Sequence, residues 1–326
     1  MRDQGILAAL KFVLVLVVLS LSACGEKITT KTIASEKVKR VVFLGNSITY
    51  SGQYVADIEA YYLLVHPEVR VEWINMGLPS ETVSGLSEEG HADGAFPRPN
   101  LHERLNRVLE QTQPDLVFAN YGMNDGIYLP FDTVRFEQFK SGMMKLHDAV
   151  LQVGATIIHL TPPIYDEGKG GKVGYDLVLD KYSEWLLDQR KENRWQVLDI
   201  HGPMKRYLVQ KRAKDPSFYL ASDGVHPGDE GHWIMAREIL GFLEQRNMSE
   251  ITAIQVALEE YPASEEVIDI VREKQQLMRD AWLSATGHER PGIREGLPMD
   301  KAREKAKSLE ERMNDLTKEK GSDGSY

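Results

Sequence analysis

From residue 38 onward, short runs rich in β-branched and other apolar residues recur at intervals: "KRVVFLG" (39–45), "VRVEWIN" (69–75), "DLVFAN" (115–120), "ATIIHL" (155–160) and "WQVLDI" (195–200). Between them lie longer amphipathic stretches with helical periodicity at 52–65, 100–112, 133–153 and 175–193, and a further one at 229–246. Strands that are apolar on both faces must be covered on both faces, and parallel neighbours need crossover helices, so this alternation predicts a parallel sheet between helical layers. The expected fold is α/β, a flavodoxin-like three-layer α/β/α sandwich with a five-stranded parallel sheet in the order 2-1-3-4-5. With 326 residues and 42% apolar content, the chain can fill such a core. The unit is expected over 38–248. Beyond it, Glu, Lys, Arg, Met and Ala dominate. That composition predicts a helical extension over 249–318, interrupted at 286–298, that covers one side of the main domain, followed by a disordered tail at 319–326.

The amino terminus has the charges of Arg2 and Lys11 ahead of the apolar run "FVLVLVVLSLSA", a signal-peptide pattern. The "LSAC" that ends it resembles a bacterial lipoprotein cleavage site, which implies a leader over 1–23, lipidation of Cys24 and a polar tether over 24–37. The folded part is therefore expected outside the inner membrane, in the cell envelope, held to a membrane by its lipid. Cys24 is the only cysteine, so no internal disulfide can form. A net charge of −10 argues against a nucleic-acid partner and for a neutral or cationic ligand.

In sheets of this order, ligands sit beyond the carboxyl ends of the first and third strands. Those ends deliver "GNSIT" and "NYGMNDG", so Ser47 and Asn124 face one pocket. A serine hydroxyl needs a neighbouring base to become a nucleophile. The loop "SDGVHPGDEGH" supplies His226, with Asp223 three residues earlier to fold back and fix its tautomer. An acyl oxygen that gains negative charge needs donors, and the Asn124 amide and the backbone N–H of Gly77 in "INMGLPS" are placed to supply them. Alone, Ser47 would read as a helix cap and Asp223–His226 as a loop pair. Their joint occurrence favours chemistry.

The four blocks "FLGNSIT", "NMGLPS", "YGMND" and "DGVHP" occur in order, and the chain over about 38–246 resembles the SGNH hydrolase, or GDSL esterase/lipase, superfamily. The resemblance implies Ser47 as nucleophile, His226 as general base and acid, and Asp223 as its orienting partner. It also implies an oxyanion hole from the N–H groups of Ser47 and Gly77 with the Asn124 side chain. One departure is that Asn46 stands where the family's named motif has Asp; Asn can still bond locally in the turn. The G-x-S-x-G elbow of α/β-hydrolases fits less well, because Thr49 follows Ile48.

These readings predict a serine esterase that works through an acyl-serine, without cofactor or metal. The connection at 78–100 is expected to form one wall of the pocket, and it lacks the apolar face of a lipase lid. A short acyl group, acetyl above all, on a saccharide or polysaccharide is the expected substrate. The alternatives are a lysophospholipase or thioesterase, and a non-catalytic envelope binding protein on the same fold. His91 and Asp93 are expected in a solvated loop, and His147, His159, His201, Trp185 and Trp195 in packed positions. His232 is expected to support His226, and Arg290 and Arg294 to be solvated.

Overall fold

The apolar runs become β1 (Arg40–Gly45), β2 (Glu72–Asn75), β3 (Leu116–Asn120), β4 (Thr156–Leu160) and β5 (Gln196–Leu198) in a computed structural model that describes Ile33 and residues 38–322. All neighbours are parallel, in the expected order β2-β1-β3-β4-β5. The second run is shorter than its composition suggests. Its ladder opens at Glu72, which is in register with Arg40, the first residue of β1, so Val69 and Val71 have no strand beside them.

Among the described residues, the longer helices are α1 (Ser47–Ser51), α2 (Gln53–Val65), α3 (Leu101–Thr112), α4 (Thr133–Gln152), α5 (Tyr175–Glu192), α6 (His201–Arg212), α7 (Asp229–Glu244), α8 (Ser264–Thr286) and α9 (Met299–Ser322). Right-handed crossovers run one way from β1 to β2 and the other way from β1 to β3 to β5, which puts their helices on opposite faces. Accordingly α2 packs against α7, and α3 against α4. Helix α2 is buried nearly all round, because α7 covers one side and α8 another. Helix α6 is absent from the expected elements. Its opening "HGP" reads as a turn, but Pro is tolerated in a first helical turn, and Asp199 Oδ1 caps it by accepting from Gly202 N–H at 2.9 Å.

The helical extension is present. Helix α8 packs on α2, β2 and α9, and the expected interruption separates α8 from α9. Helix α9 runs to Ser322, so 319–322, expected to be disordered, continue the helix until Gly321 and Ser322 exhaust its Lys/Glu pattern. The leader, Cys24 and the tether lie outside the described residues, apart from Ile33, which is buried with the core. Among the described residues, no helix is long and apolar enough to cross a membrane.

Candidate active site

The register of β1 and β3 sets Gly45 beside Asn120, so both strands end at the same level and release the chain into the same crevice. A side chain at Gly45 would overlap Thr49, so the sharp turn from β1 into α1 needs a glycine there. Asn46 caps α1, its Oδ1 accepting from Ile48 N–H at 3.0 Å. Asn meets this demand as Asp would, because the turn uses a side-chain oxygen and not a charge.

Helix α1 has only five residues, too short to hold itself, and it is clamped from three distant segments. Asn75 Nδ2 donates to Thr49 O at 2.7 Å. His232 on α7 lies 3.0 Å from Ser51 Oγ, whose own proton goes to Ile48 O, so His232 Nε2 is the donor. Arg279 on α8 donates to Tyr50 O at 2.6 Å and stacks on the Tyr50 ring at 3.8 Å. Burial lowers the His232 imidazole to about 4, which keeps it neutral.

Ser47 Oγ lies 2.8 Å from His226 Nε2, and His226 Nδ1 lies 2.6 Å from Asp223 Oδ2. The other Asp223 oxygen accepts the N–H groups of Val225 and His226, at 2.9 and 2.8 Å. Burial pushes the Asp223 carboxyl up, but the His226 ring and these backbone donors outweigh it and hold it below the usual carboxylate range. A carboxylate accepts only, so Nδ1 carries the proton and Nε2 is left to take one from Ser47. Asp223 and His226 are about half exposed, so this end of the site opens to solvent.

The donors differ from expectation at one place. Gly77 N–H is engaged by Asn75 Oδ1 at 2.9 Å, and Gly77 is buried against α1, where a side chain would strike the Thr49 and Tyr50 backbone. Gly77 is therefore a close-packing residue, not an oxyanion donor. Three residues later Ser80 takes a φ of +66°, partly exposed, and among the described residues its N–H has no acceptor. The next peptide oxygen, Glu81 O, accepts from Asn124 Nδ2 at 3.1 Å, which puts the Asn124 amide and the Ser80 N–H on one turn. Asn124 Oδ1 accepts from Tyr128 at 3.0 Å, which fixes the amide's orientation and leaves a second N–H for a ligand.

Buried charge holds this turn. Arg104 and Glu81 are both fully buried and paired through bonds of 2.6 and 2.9 Å, with Tyr121 donating to Glu81 at 2.7 Å. Asp125 Oδ1 accepts from the N–H groups of Val83 and Ser84, and its Oδ2 from Gly122 N–H, which ties the segment after β3 to the segment after β2.

The loop over 78–100 carries its own polar rim. Arg98 is bound by Glu88 through two bonds of 2.6 Å and lies 5.2 Å over the Tyr128 ring. His91, expected in solvent, instead meets Glu88 at 3.2 Å and packs edge-on against Phe96. His159 is fully buried, stacked with His147 and Trp195, and His201 is buried against Pro162 O and Asp180. Among the described residues Asp176, Asp180 and His201 alone lie close enough together to share a metal ion, but the Lys205 ammonium already sits 2.8 and 2.6 Å from the two carboxylates. Nothing in the sequence marks Ser80, since Ser is not a residue that signals a left-handed turn, or Arg279, which is 229 residues from the carbonyl it binds.

With this geometry in view, the profile of the GDSL-like Lipase/Acylhydrolase family matches residues 43–234. An acetylxylan esterase from Geobacillus stearothermophilus is 25% identical over 222 residues, covering 62% of this chain and 92% of that protein. The structure of a catalytic mutant of an acetylxylan esterase from the same organism superposes with a TM-score of 0.50 at 21% identity, over 67% of this chain and 96% of that one. A gut microbial diltiazem-metabolizing enzyme has a TM-score of 0.49 at 24% identity; the match covers 63% of this chain and about half, 47%, of that one.

Proposed function

The chain belongs to the GDSL-like lipase/acylhydrolase family and is a carboxylic-ester hydrolase of SGNH type; from that premise we propose that it removes short acyl groups, acetyl above all, from a saccharide through an acyl-serine. The observation that carries this reading is the hydrogen-bonded chain from Ser47 through His226 to Asp223. In the first step Ser47 Oγ attacks the ester carbonyl and His226 Nε2 takes its proton. Negative charge on the carbonyl oxygen is met by the N–H groups of Ser47 and Ser80 and by Asn124 Nδ2. His226 then returns its proton to the departing sugar oxygen, leaving acyl-Ser47. Water, deprotonated by the same imidazole, releases the acid and restores the serine.

The choice of a short acyl group rests on the charged and polar side chains of Arg98, Glu88, His91 and Tyr128 that line this rim, where an apolar surface would suit a long chain. The acetylxylan esterase relative agrees with a saccharide as carrier. The amino-terminal pattern ending at Cys24 supports a lipid-tethered protein of the cell envelope. The test is hydrolysis of p-nitrophenyl esters from acetate to palmitate beside Ser47→Ala. The reading expects acetate to be preferred and the variant to be inactive. Preference for long chains would move the assignment to a lysophospholipase or thioesterase, and equal rates in the two proteins would leave a binding protein.

A further inference from the structure

The loop 287–298 between α8 and α9 meets the polar rim of the 78–100 loop at Phe96. Two separate routes lead from the reacting groups to Arg290. Along α1, Tyr50 stands one helical turn beyond Ser47, on the same face, and its phenol is within electrostatic range of Arg290. From Asn124, contacts run through Tyr128, the Arg98–Glu88 pair and His91 to Phe96, and the Arg290 guanidinium lies 5.2 Å from the Phe96 ring centroid. Arg290 closes the ring.

Arg290 differs from the other arginines of this rim. Arg98 is held by Glu88 and Arg279 by Asp280. The side-chain bond of Arg290 goes to Pro291 O, and among the described residues no carboxylate lies within ion-pair distance. Its Nε is shut away from solvent with no acceptor. In a chain with 49 acidic against 39 basic residues, a half-buried guanidinium without an acidic partner is out of keeping with its surroundings. A planar guanidinium backed by an aromatic ring is suited to a planar carboxylate.

We propose that the saccharide from which the acyl group is removed is acidic, and that its carboxylate is bound by Arg290 against Phe96. This rests on the deacylase reading and names the carrier. It also revises the expectation of a neutral or cationic ligand drawn from net charge, because recognition depends on the local charge at the mouth.

The experiment measures calorimetric binding of a de-esterified oligogalacturonide and of a neutral galacto-oligosaccharide to the protein and to Arg290→Gln, with p-nitrophenyl acetate turnover in parallel. The acidic oligosaccharide is expected to bind about tenfold or more tightly than the neutral one, the preference shrinking at roughly 0.5 M salt. In Arg290→Gln the preference disappears, while acetate-ester turnover and melting temperature stay within the wild-type range. Arg290→Lys recovers part of it, as a charge without the planar fork should. Equal binding of the two oligosaccharides, binding of neither, or an unchanged preference in Arg290→Gln overturns the proposal. Loss of all ester hydrolysis with acid-selective binding intact would overturn the esterase reading and leave the subsite standing.

Discussion

Arg279 on α8 donates to Tyr50 O at 2.6 Å while its guanidinium covers the Tyr50 ring, so a carboxy-terminal helix holds the end of the five-residue helix that carries Ser47. The carbonyls at a helix end have no partner of their own, and a cation there both fills the bond and meets the helix dipole. Arg279→Ala is expected to cost about 2 kcal/mol of stability. It is also expected to lower kcat more than KM for p-nitrophenyl acetate, with partial recovery in Arg279→Lys. A variant that loses stability but keeps its kcat would show that the clamp does not position Ser47.

Removing the reacting groups should be far more costly to rate than to fold. Ser47→Ala and His226→Ala are each expected to lower kcat by about a thousandfold or more, and Asp223→Asn by up to about ten thousandfold through the wrong imidazole tautomer. Ser47 is only partly buried and His226 half exposed. Melting temperatures within a few degrees of wild type, read by calorimetry alongside the kinetics, are the expected companion result.

Gly77 and Ser80 should answer to substitution in opposite ways. Gly77→Ala puts a methyl group 2.6 Å from the Thr49 carbonyl carbon, so α1 must move, and both stability and activity are expected to fall. Ser80→Gly relieves a positive φ of +66° and keeps the N–H. It should be neutral or stabilising by about 1 kcal/mol with turnover preserved. A large loss of kcat in Ser80→Gly would mean that the hydroxyl, and not the backbone donor, serves the reaction.

Two buried groups make opposite contributions to the pH dependence of stability. His232, lowered to about 4 by burial, is neutral in the fold, so the stability it contributes is present above its ordinary 6.5 and is lost as pH falls toward 4. Asp57 is buried with neither oxygen hydrogen-bonded, its Oδ1 3.6 Å from the Arg272 guanidinium, and burial outweighs that cation and pushes it up to about 7. Its contribution is present below the ordinary 3.8 and is lost as pH rises through 7. The two slopes oppose each other across the same window. Asp57→Asn is therefore expected to match wild type near pH 4 and to exceed it by up to about 4 kcal/mol at pH 8, measured by urea unfolding at each pH. An advantage independent of pH would show that the carboxyl ionises freely in the fold.

Breaking the buried pair beneath the oxyanion turn should be severe. Arg104→Met strands the Glu81 carboxylate with only Tyr121 beside it, a loss of about 3–5 kcal/mol. Because Glu81 O orients Asn124, kcat should fall as well. Unchanged kinetics in a variant that still folds would separate the pair from the site.

The sheet order was legible because five apolar runs alternate with helical ones, and Ser47, Asn124, Asp223 and His226 because each sits in a short motif whose residues meet through nearby backbone. What stayed hidden depends on contacts between distant segments or on unexpected backbone angles. Gly77 drew attention as a glycine, yet its small size serves the packing of α1, while the strained turn fell on Ser80, whose type does not advertise it. Likewise the arginines of the extension are indistinguishable in sequence. Only the fold sends Arg279 to α1 and Arg290 to Phe96.

The clamp on α1 also imposes an order of events during synthesis. A ribosome has delivered every strand of the sheet by Leu198 and all of Ser47, Asp223 and His226 by residue 226, but Arg279 has yet to emerge. If domains begin to fold as they leave the ribosome, the sheet can form while the nucleophile's helix still lacks its last anchor. The hydrolase would then acquire its working geometry only once α8 has joined the sheet, so a chain cut short of Arg279 would carry the triad on an unanchored helix.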